Sequence, residues 1–331
     1  MSFNILPRIA KQVILQSTIL LYHRVADTEH DPQLLCVSPK NFAGHMEVLR
    51  STRRPIPLDK LAKATPFNIW GLPGITITFD DGYEDNFINA KPILLEYELP
   101  ATVFVSTGFI GTGQMPYWDE LSYVLLRTSE LPSRLSISIG NTCKSWEFNR
   151  EPPVDAAWNV LDGIETARQD SYCFLCNFLR SLPPYLREEM MIMIRKWSGV
   201  KCEGLDSNLF MSAEQLAKLT NDGLIEVGAH CISHPSLAAL SLQDQRKEIV
   251  EGKRQLEELV GHRVSSFAYP YGNRGSYTRE SVNILKEQGF DCACSNFGGS
   301  VWFGTDRYEL PRVLVRNWGA EEFARNIGSY F

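Results

Sequence analysis

The sequence predicts an α/β fold, a barrel of about seven parallel strands joined by helices. Three observations carry that prediction. Residues 75–106 read as strand, helix, strand, which is the βαβ unit that makes neighbouring strands parallel. The same alternation resumes at Met211 and runs to Ile327. The strand segments, 18–22, 75–79, 101–106, 224–227, 265–269, 292–295 and 310–315, are short and mostly apolar, as strands buried on both faces should be.

In chain order, Phe3 to Gln16 reads as an amphipathic helix and Thr18 to Tyr22 as the first strand. On that helix Ile5, Leu6, Ile9, Val13 and Ile14 share a face, with Arg8 and Lys11 elsewhere. Packing against the barrel is the simpler expectation, and peripheral contact with a membrane surface is the alternative. No small-residue cleavage pattern follows, and no window reaches the roughly 18 apolar residues of a span. A cytoplasmic protein is therefore expected, with membrane association through this helix as the variant. Helices are expected at 39–50, where Phe42, Met46 and Leu49 share a face, at 58–64, and at 86–97, closed by Glu98-Leu99-Pro100.

Between 111 and about 210 the alternation fades. A hairpin (134–139 with 144–148) and two helices (166–181 and 186–198) are expected there, as a mostly helical insertion within one domain covering 1–331. Its polar interruptions promise no core of its own. Beyond it come helices at 212–219, 243–260, 277–288 and 320–327 between the remaining strands.

Composition narrows the function. With 44% hydrophobic and 22% charged residues the chain is globular rather than disordered. A net charge of -6 argues against nucleic acid as a partner. Eight scattered cysteines form no regular framework, so reduced thiols are expected. Cys173 and Cys176 make a lone Cys-x-x-Cys without further ligands nearby, which reads as two buried thiols on a helix face.

Chemistry should gather at the strand C-termini. Four strand ends carry reactive groups: Asp80-Asp81-Gly82, His230-x3-His234, His23, and Pro270-Tyr271-Gly272. Two like charges at the mouth of a buried strand call for a cation or a shared proton. Adjacent side chains on extended backbone diverge, so Gly82 is expected to supply the turn that brings both carboxylates to one site. Two imidazoles four residues apart, plus one carboxylate, make a hydrolytic zinc set with an open fourth position. One aspartate would bind the metal and the other would take a proton from water. A solvated Asp-Asp-Gly turn and two surface histidines would leave the same pattern.

Taken in order, Thr78-Phe79-Asp80-Asp81-Gly82, His230-x3-His234 and Phe267-Ala268-Tyr269-Pro270-Tyr271-Gly272 resemble the polysaccharide deacetylase family, carbohydrate esterase family four, with its NodB-homology domain. The resemblance spans Ile19 to about Val315 and leaves out 111–210. It implies an irregular (β/α)7 barrel and metal-dependent removal of an acetyl group from a sugar. Carried over residue by residue, Asp80 would be the general base, and Asp81, His230 and His234 would bind a divalent ion, most simply Zn2+. Two departures stand out. Ala268 occupies the place of the family's base-orienting arginine, and no histidine follows His262 to serve as the late acid. Tyr22-His23-Arg24-Val25 resembles the early Tyr-His motif of the exopolysaccharide-deacetylase branch, which gives His23 the acid role. Arg312 is the candidate replacement for the missing arginine. A backbone N–H near Tyr271 would hold the oxyanion, and Tyr271, Tyr83, Tyr117 and Trp118 are the candidate sugar platforms. The expected substrate is an N-acetylated saccharide, polymeric, lipid-linked or nucleotide-linked. The competing readings are an amidase acting on a small non-sugar amide and a catalytically inactive sugar-binding module.

Overall fold

A computed structural model of the chain describes residues 16–63, 74–140, 142–200, 209–302 and 304–328. The helix expected at 3–16 lies outside them, apart from Gln16. Among the described residues seven parallel strands form the main run of the large sheet: β1 Ser17–Tyr22, β2 Gly74–Phe79, β3 Ala101–Val105, β4 Ile225–Ala229, β5 Ser266–Ala268, β6 Cys292–Cys294 and β7 Val313–Leu314. Across the sheet they run β6-β5-β4-β3-β2-β1-β7, and a short strand at Arg54–Pro55 adds to β2. Just before β7, Leu310 makes a parallel bridge to Cys294, so the two edges of the sheet meet. This is the curled sheet of an irregular (β/α)7 barrel. Every residue of β1, β2 and β3 is buried, as strands covered on both faces require.

The helices form where capping and apolar spacing call for them. Ser38 accepts a hydrogen bond from the Asn41 N–H to open Pro39–Thr52, which buries Phe42, His45, Met46 and Leu49. Ser212 and Thr278 open Ala213–Leu219 and Arg279–Glu287 with reciprocal capping boxes. Residues 86–97, expected as one helix, instead begin as a π-helical turn, Asn86–Ala90, before Lys91–Tyr97. Pro92 cannot donate to the carbonyl four residues back, and the wider turn accommodates that loss. Among the described residues no helix is long and apolar enough to cross a membrane.

The described residues divide into two compact units. The barrel comprises the chain up to Asp27, Leu35–Thr112, and everything from Phe210 on. The second unit comprises Thr28–Leu34 and Gly113–Leu209. It holds the hairpin Arg134–Ile139 with Thr142–Glu147 and the helices Ala167–Arg180 and Pro184–Ser198. Contrary to the sequence expectation, this segment has a core, in which Leu125, Ile137, Phe148, Tyr172 and Ile194 are buried. The polar interruptions turn inward instead. Fully buried Arg168 donates to the carbonyls of Leu125, Thr128, Ser129 and Glu151, closing the loops around it. Cys176 is buried but Cys173 only half-buried, and burial pushes both thiols up, away from reactivity.

One buried polar group in the barrel wall sets a pH limit. His45 Nε2 lies 2.7 Å from the Trp318 carbonyl, an acceptor, so Nε2 carries the proton and Nδ1 accepts from the Tyr22 hydroxyl at 3.2 Å. Its ring stacks on Phe323 with centroids 4.0 Å apart. Burial pushes the imidazole down to about 4, against the opposing pull of the Trp318 carbonyl. The unfolded chain therefore takes up a proton near pH 6.5 that the folded chain refuses until about pH 4. Stability should be unaffected by His45 above pH 6.5 and fall by about 3 kcal/mol as pH drops through that window. Denaturant unfolding at pH 7, 6 and 5 checks this, and His45→Gln should flatten the decline.

Candidate active site

The C-terminal ends of β1, β2, β4 and β5 converge on one cluster. Asp80 continues β2, its N–H bonded to the Tyr22 carbonyl at 3.0 Å. The chain then turns sharply. Gly82 has φ 85°, as expected, but Asp81 itself has φ 76°, a left-handed conformation that costs a non-glycine residue energy. The turn is held from both sides, by Ser106 N–H to the Asp81 carbonyl and Met211 N–H to the Gly82 carbonyl, at 3.5 and 3.2 Å. Both carboxylates are thereby brought to one side, each with at most 4% of its surface exposed.

Asp80 is paired with Arg312, which stands immediately before β7. The guanidinium reaches both carboxylate oxygens at 2.7 Å, a bidentate pair, and donates to the Ser295 carbonyl at 2.7 Å and the Thr78 hydroxyl at 3.3 Å. Burial works to raise the Asp80 carboxyl, but Arg312 and then His230 outweigh it and hold it below its ordinary value.

Asp81 faces the two histidines. Its Oδ1 lies 3.4 Å from His230 Nε2 and 3.2 Å from His234 Nε2. His230 Nδ1 lies 2.7 Å from the Ala268 carbonyl, which can only accept, so Nδ1 carries a proton and Nε2 points at the carboxylates. Asp81 Oδ1 and His230 Nε2 are buried without a hydrogen-bond partner among the described residues. Burial alone would lower His230, yet Asp80 and Asp81 raise it above the ordinary histidine value. Burial raises Asp81 too, and His234 and His230 more than reverse it. A buried site that draws positive charge this way, with three ligand atoms within 4.8 Å of one another, fits a divalent metal.

His23, just past β1, is close enough to this cluster for Asp81, Asp80, Arg312 and His230 all to act on it. Its Nδ1 is buried with no hydrogen-bond partner among the described residues. The acid role expected of His23 asks for a group that holds a proton near neutral pH. Burial outweighs the two carboxylates here and lowers the group below its ordinary value. Tyr271, half-buried and left-handed at φ 62°, sets its ring edge-on to His234 with centroids 4.6 Å apart.

The other three aromatic candidates do not present faces to a ligand. Tyr83 is fully buried, its ring stacked on Phe210 at 4.8 Å and covered by the Arg24 guanidinium 5.0 Å from its centroid. Tyr117 and Trp118 pack edge to face within the second unit, with 9% and 7% of their surface exposed, and Arg187 lies over Tyr117. Aromatic identity in the sequence could not separate a sugar platform from a packed ring.

Sequence reading also passed over the group that braces the His23 segment. Asp85 accepts from Arg24 Nε and the Val25 N–H, both at 2.9 Å. Asn86 and Asn89 donate to the His23 and Val25 carbonyls, both at 2.8 Å. The available signal was three polar residues at i, i+1 and i+4, directly after the Asp-Asp-Gly turn.

A model of the polysaccharide deacetylase family matches residues 72–128 and 189–293. Over those two segments the chain is similar to the polysaccharide deacetylase family. YxkH of Bacillus subtilis (strain 168), a protein named as a polysaccharide deacetylase, is 33% identical over 154 residues. That alignment covers 46% of this chain and 49% of YxkH, so it spans about half the length of the relative. Among solved structures, the Streptococcus pyogenes deacetylase PplD in complex with acetate superposes with TM-score 0.59 at 15% identity, covering 94% of this chain and 98% of that one. IcaB from Ammonifex degensii superposes with TM-score 0.56 at 18% identity, covering 95% and 96%. At these identities the two structures establish the fold alone.

Two outcomes follow from the geometry. Arg312→Leu would leave Asp80 as an unpaired buried charge and should cost about 3–5 kcal/mol, read from chemical denaturation at pH 7. His230→Ala removes one of three candidate ligands on a loop beyond β4, so the melting transition should survive while uptake of a divalent ion, measured by elemental analysis, falls below that of wild type.

Proposed function

We propose that this protein is a metal-dependent hydrolase that removes the acetyl group from an N-acetylated sugar in a polysaccharide, glycan or lipid-linked saccharide. The observation that carries this reading is the pairing of Asp81, His230 and His234 around one point with Asp80 held beside them by Arg312. Two imidazoles and one carboxylate leave an open position, which suits zinc. Bound there, the ion would activate water and polarise the acetyl carbonyl.

The protein's own groups would do the rest. Arg312 keeps Asp80 ionised and fixes both its oxygens, so the carboxylate can take the proton of the attacking water. The nitrogen of the sugar needs a proton to leave as an amine. His23 is the candidate donor, sitting within the field of both carboxylates. Since burial lowers its pKa, His23 would take up a proton from solvent as negative charge builds on the carbonyl oxygen, and pass it to the departing nitrogen. Tyr271, beside His234, would contact the acetylated sugar.

The direct test is acetate release from polymeric, lipid-linked and nucleotide-linked N-acetyl sugars, with the protein stripped of metal and then reloaded with zinc. Release from at least one class, lost on stripping and restored by zinc, is expected; none from any class overturns the reading. For the acid, His23→Ala should keep the metal and lose about 10²–10⁴-fold in turnover of the amide. Hydrolysis of an activated aryl acetate needs little help from an acid and should fall much less.

A further inference from the structure

The loop from His230 to His234 is held in an unfavourable shape. Two of its residues, Cys231 at φ 64° and His234 at φ 51°, are left-handed without being glycine or asparagine. Such residues persist only where the surroundings over-determine them. Part of that constraint is backbone: Thr107 N–H bonds to the Cys231 carbonyl at 3.2 Å and Gly108 N–H to the Ile232 carbonyl at 2.9 Å. Part is steric. A Cβ at Gly108 would fall 2.7 Å from the Ile232 oxygen, and one at Gly252 would fall 3.0 Å from the Cys231 carbonyl carbon. Helix Leu242–Val260 therefore lies directly against the loop.

One side chain on that helix completes the cradle. Glu248, one turn before Gly252, accepts three hydrogen bonds from the stretch between the histidines. Oε2 takes the Ile232 N–H at 2.9 Å and the Ser233 N–H at 3.0 Å, and Oε1 takes the Ser233 hydroxyl at 2.7 Å. A carboxylate that gathers two successive peptide N–H groups and a hydroxyl fixes the path of three residues at once, and charged acceptors make the stronger bonds.

We propose that Glu248 is a positioning residue that preorganises the metal site, holding His230 and His234 at ligand spacing before any metal binds. The proposal rests on the reading of Asp81, His230 and His234 as a metal site. Its consequence is specific. Without Glu248 the loop can relax its left-handed residues, and metal binding must then restore the loop as well as form ligand bonds. Affinity falls for that reason, while the assembled site, once saturated, is nearly normal. Loss of groups that orient metal ligands typically costs about 10–100-fold in affinity.

The test is zinc affinity of the metal-stripped full chain, by competition with a chromophoric chelator, for wild type, Glu248→Ala and Glu248→Gln. Thermal melts in excess chelator run alongside, to show that each variant is folded. Glu248→Ala should bind zinc about 10–100-fold more weakly. Glu248→Gln keeps one acceptor and should fall between. At saturating zinc, kcat on a cleavable acetyl substrate should return to within a few-fold of wild type. Affinity of folded Glu248→Ala within about twofold of wild type would overturn the positioning role, as would a kcat that zinc does not restore. The wild-type measurement tells the two failures apart: no zinc bound there overturns the metal-site reading and the positioning role with it, whereas tight binding by wild type and variants alike overturns the positioning role alone.

Discussion

A carboxylate closed off from water needs positive charge beside it, and in this barrel Asp80 receives it from Arg312. The two come from opposite ends of the chain, one just past β2 and the other just before β7. They meet because β7 lies next to β1, which lies next to β2, so the pairing of the last strand with the first is what assembles the pair. Each buried charge would be costly alone. Together they leave Asp80 ionised and fixed, which is what a proton acceptor at the mouth of the barrel requires. The guanidinium also ties β7 to β6 through the Ser295 carbonyl, so the same side chain serves the edge where the sheet closes.

Around that pair the site is a balance of opposed charges. Asp81 is held in a strained turn so that its carboxylate can face two imidazoles, and the arrangement draws positive charge strongly enough to raise His230 against its own burial. His23 sits in the same field and goes the other way, because desolvation exceeds the pull of the carboxylates. Histidines within one cluster thus shift in opposite directions because their surroundings differ. His230 has both carboxylates near its free nitrogen, whereas His23 is also repelled by Arg312 and His230.

The elements that carry no chemistry are as closely specified as those that do. The Asp85, Asn86 and Asn89 side chains hold the backbone after β1, and Glu248 and two glycines hold the loop after β4. The first set lies after β2 and holds the segment past the neighbouring β1, whereas the helix that carries Glu248 and Gly252 folds back on the loop of its own strand. Precision at the site therefore depends on helix packing around the barrel as much as on the residues that face its axis.

The seven strands, the hairpin, most helices and the strand ends that bear Asp80, Asp81, His230, His234 and His23 were legible in the chain alone. Periodicity, capping residues and turn residues are local, and they decide local structure. The family could be read from ordered short motifs for the same reason. Other features depended on what lies beside a residue in space. Arg312 was a candidate replacement for the missing arginine, but its partner Asp80 was fixed only when β7 paired with β1 beside β2. Tyr83, Tyr117 and Trp118 had the composition of sugar platforms, but packing buried them. The segment after Gly111 lacked an obvious apolar pattern, yet it has a core because Arg168 satisfies the carbonyls that polar loops bring inside. Burial and partner identity are properties of the folded whole, so the direction of each pKa shift, and the balance of charge at the site, was decided only by the tertiary structure.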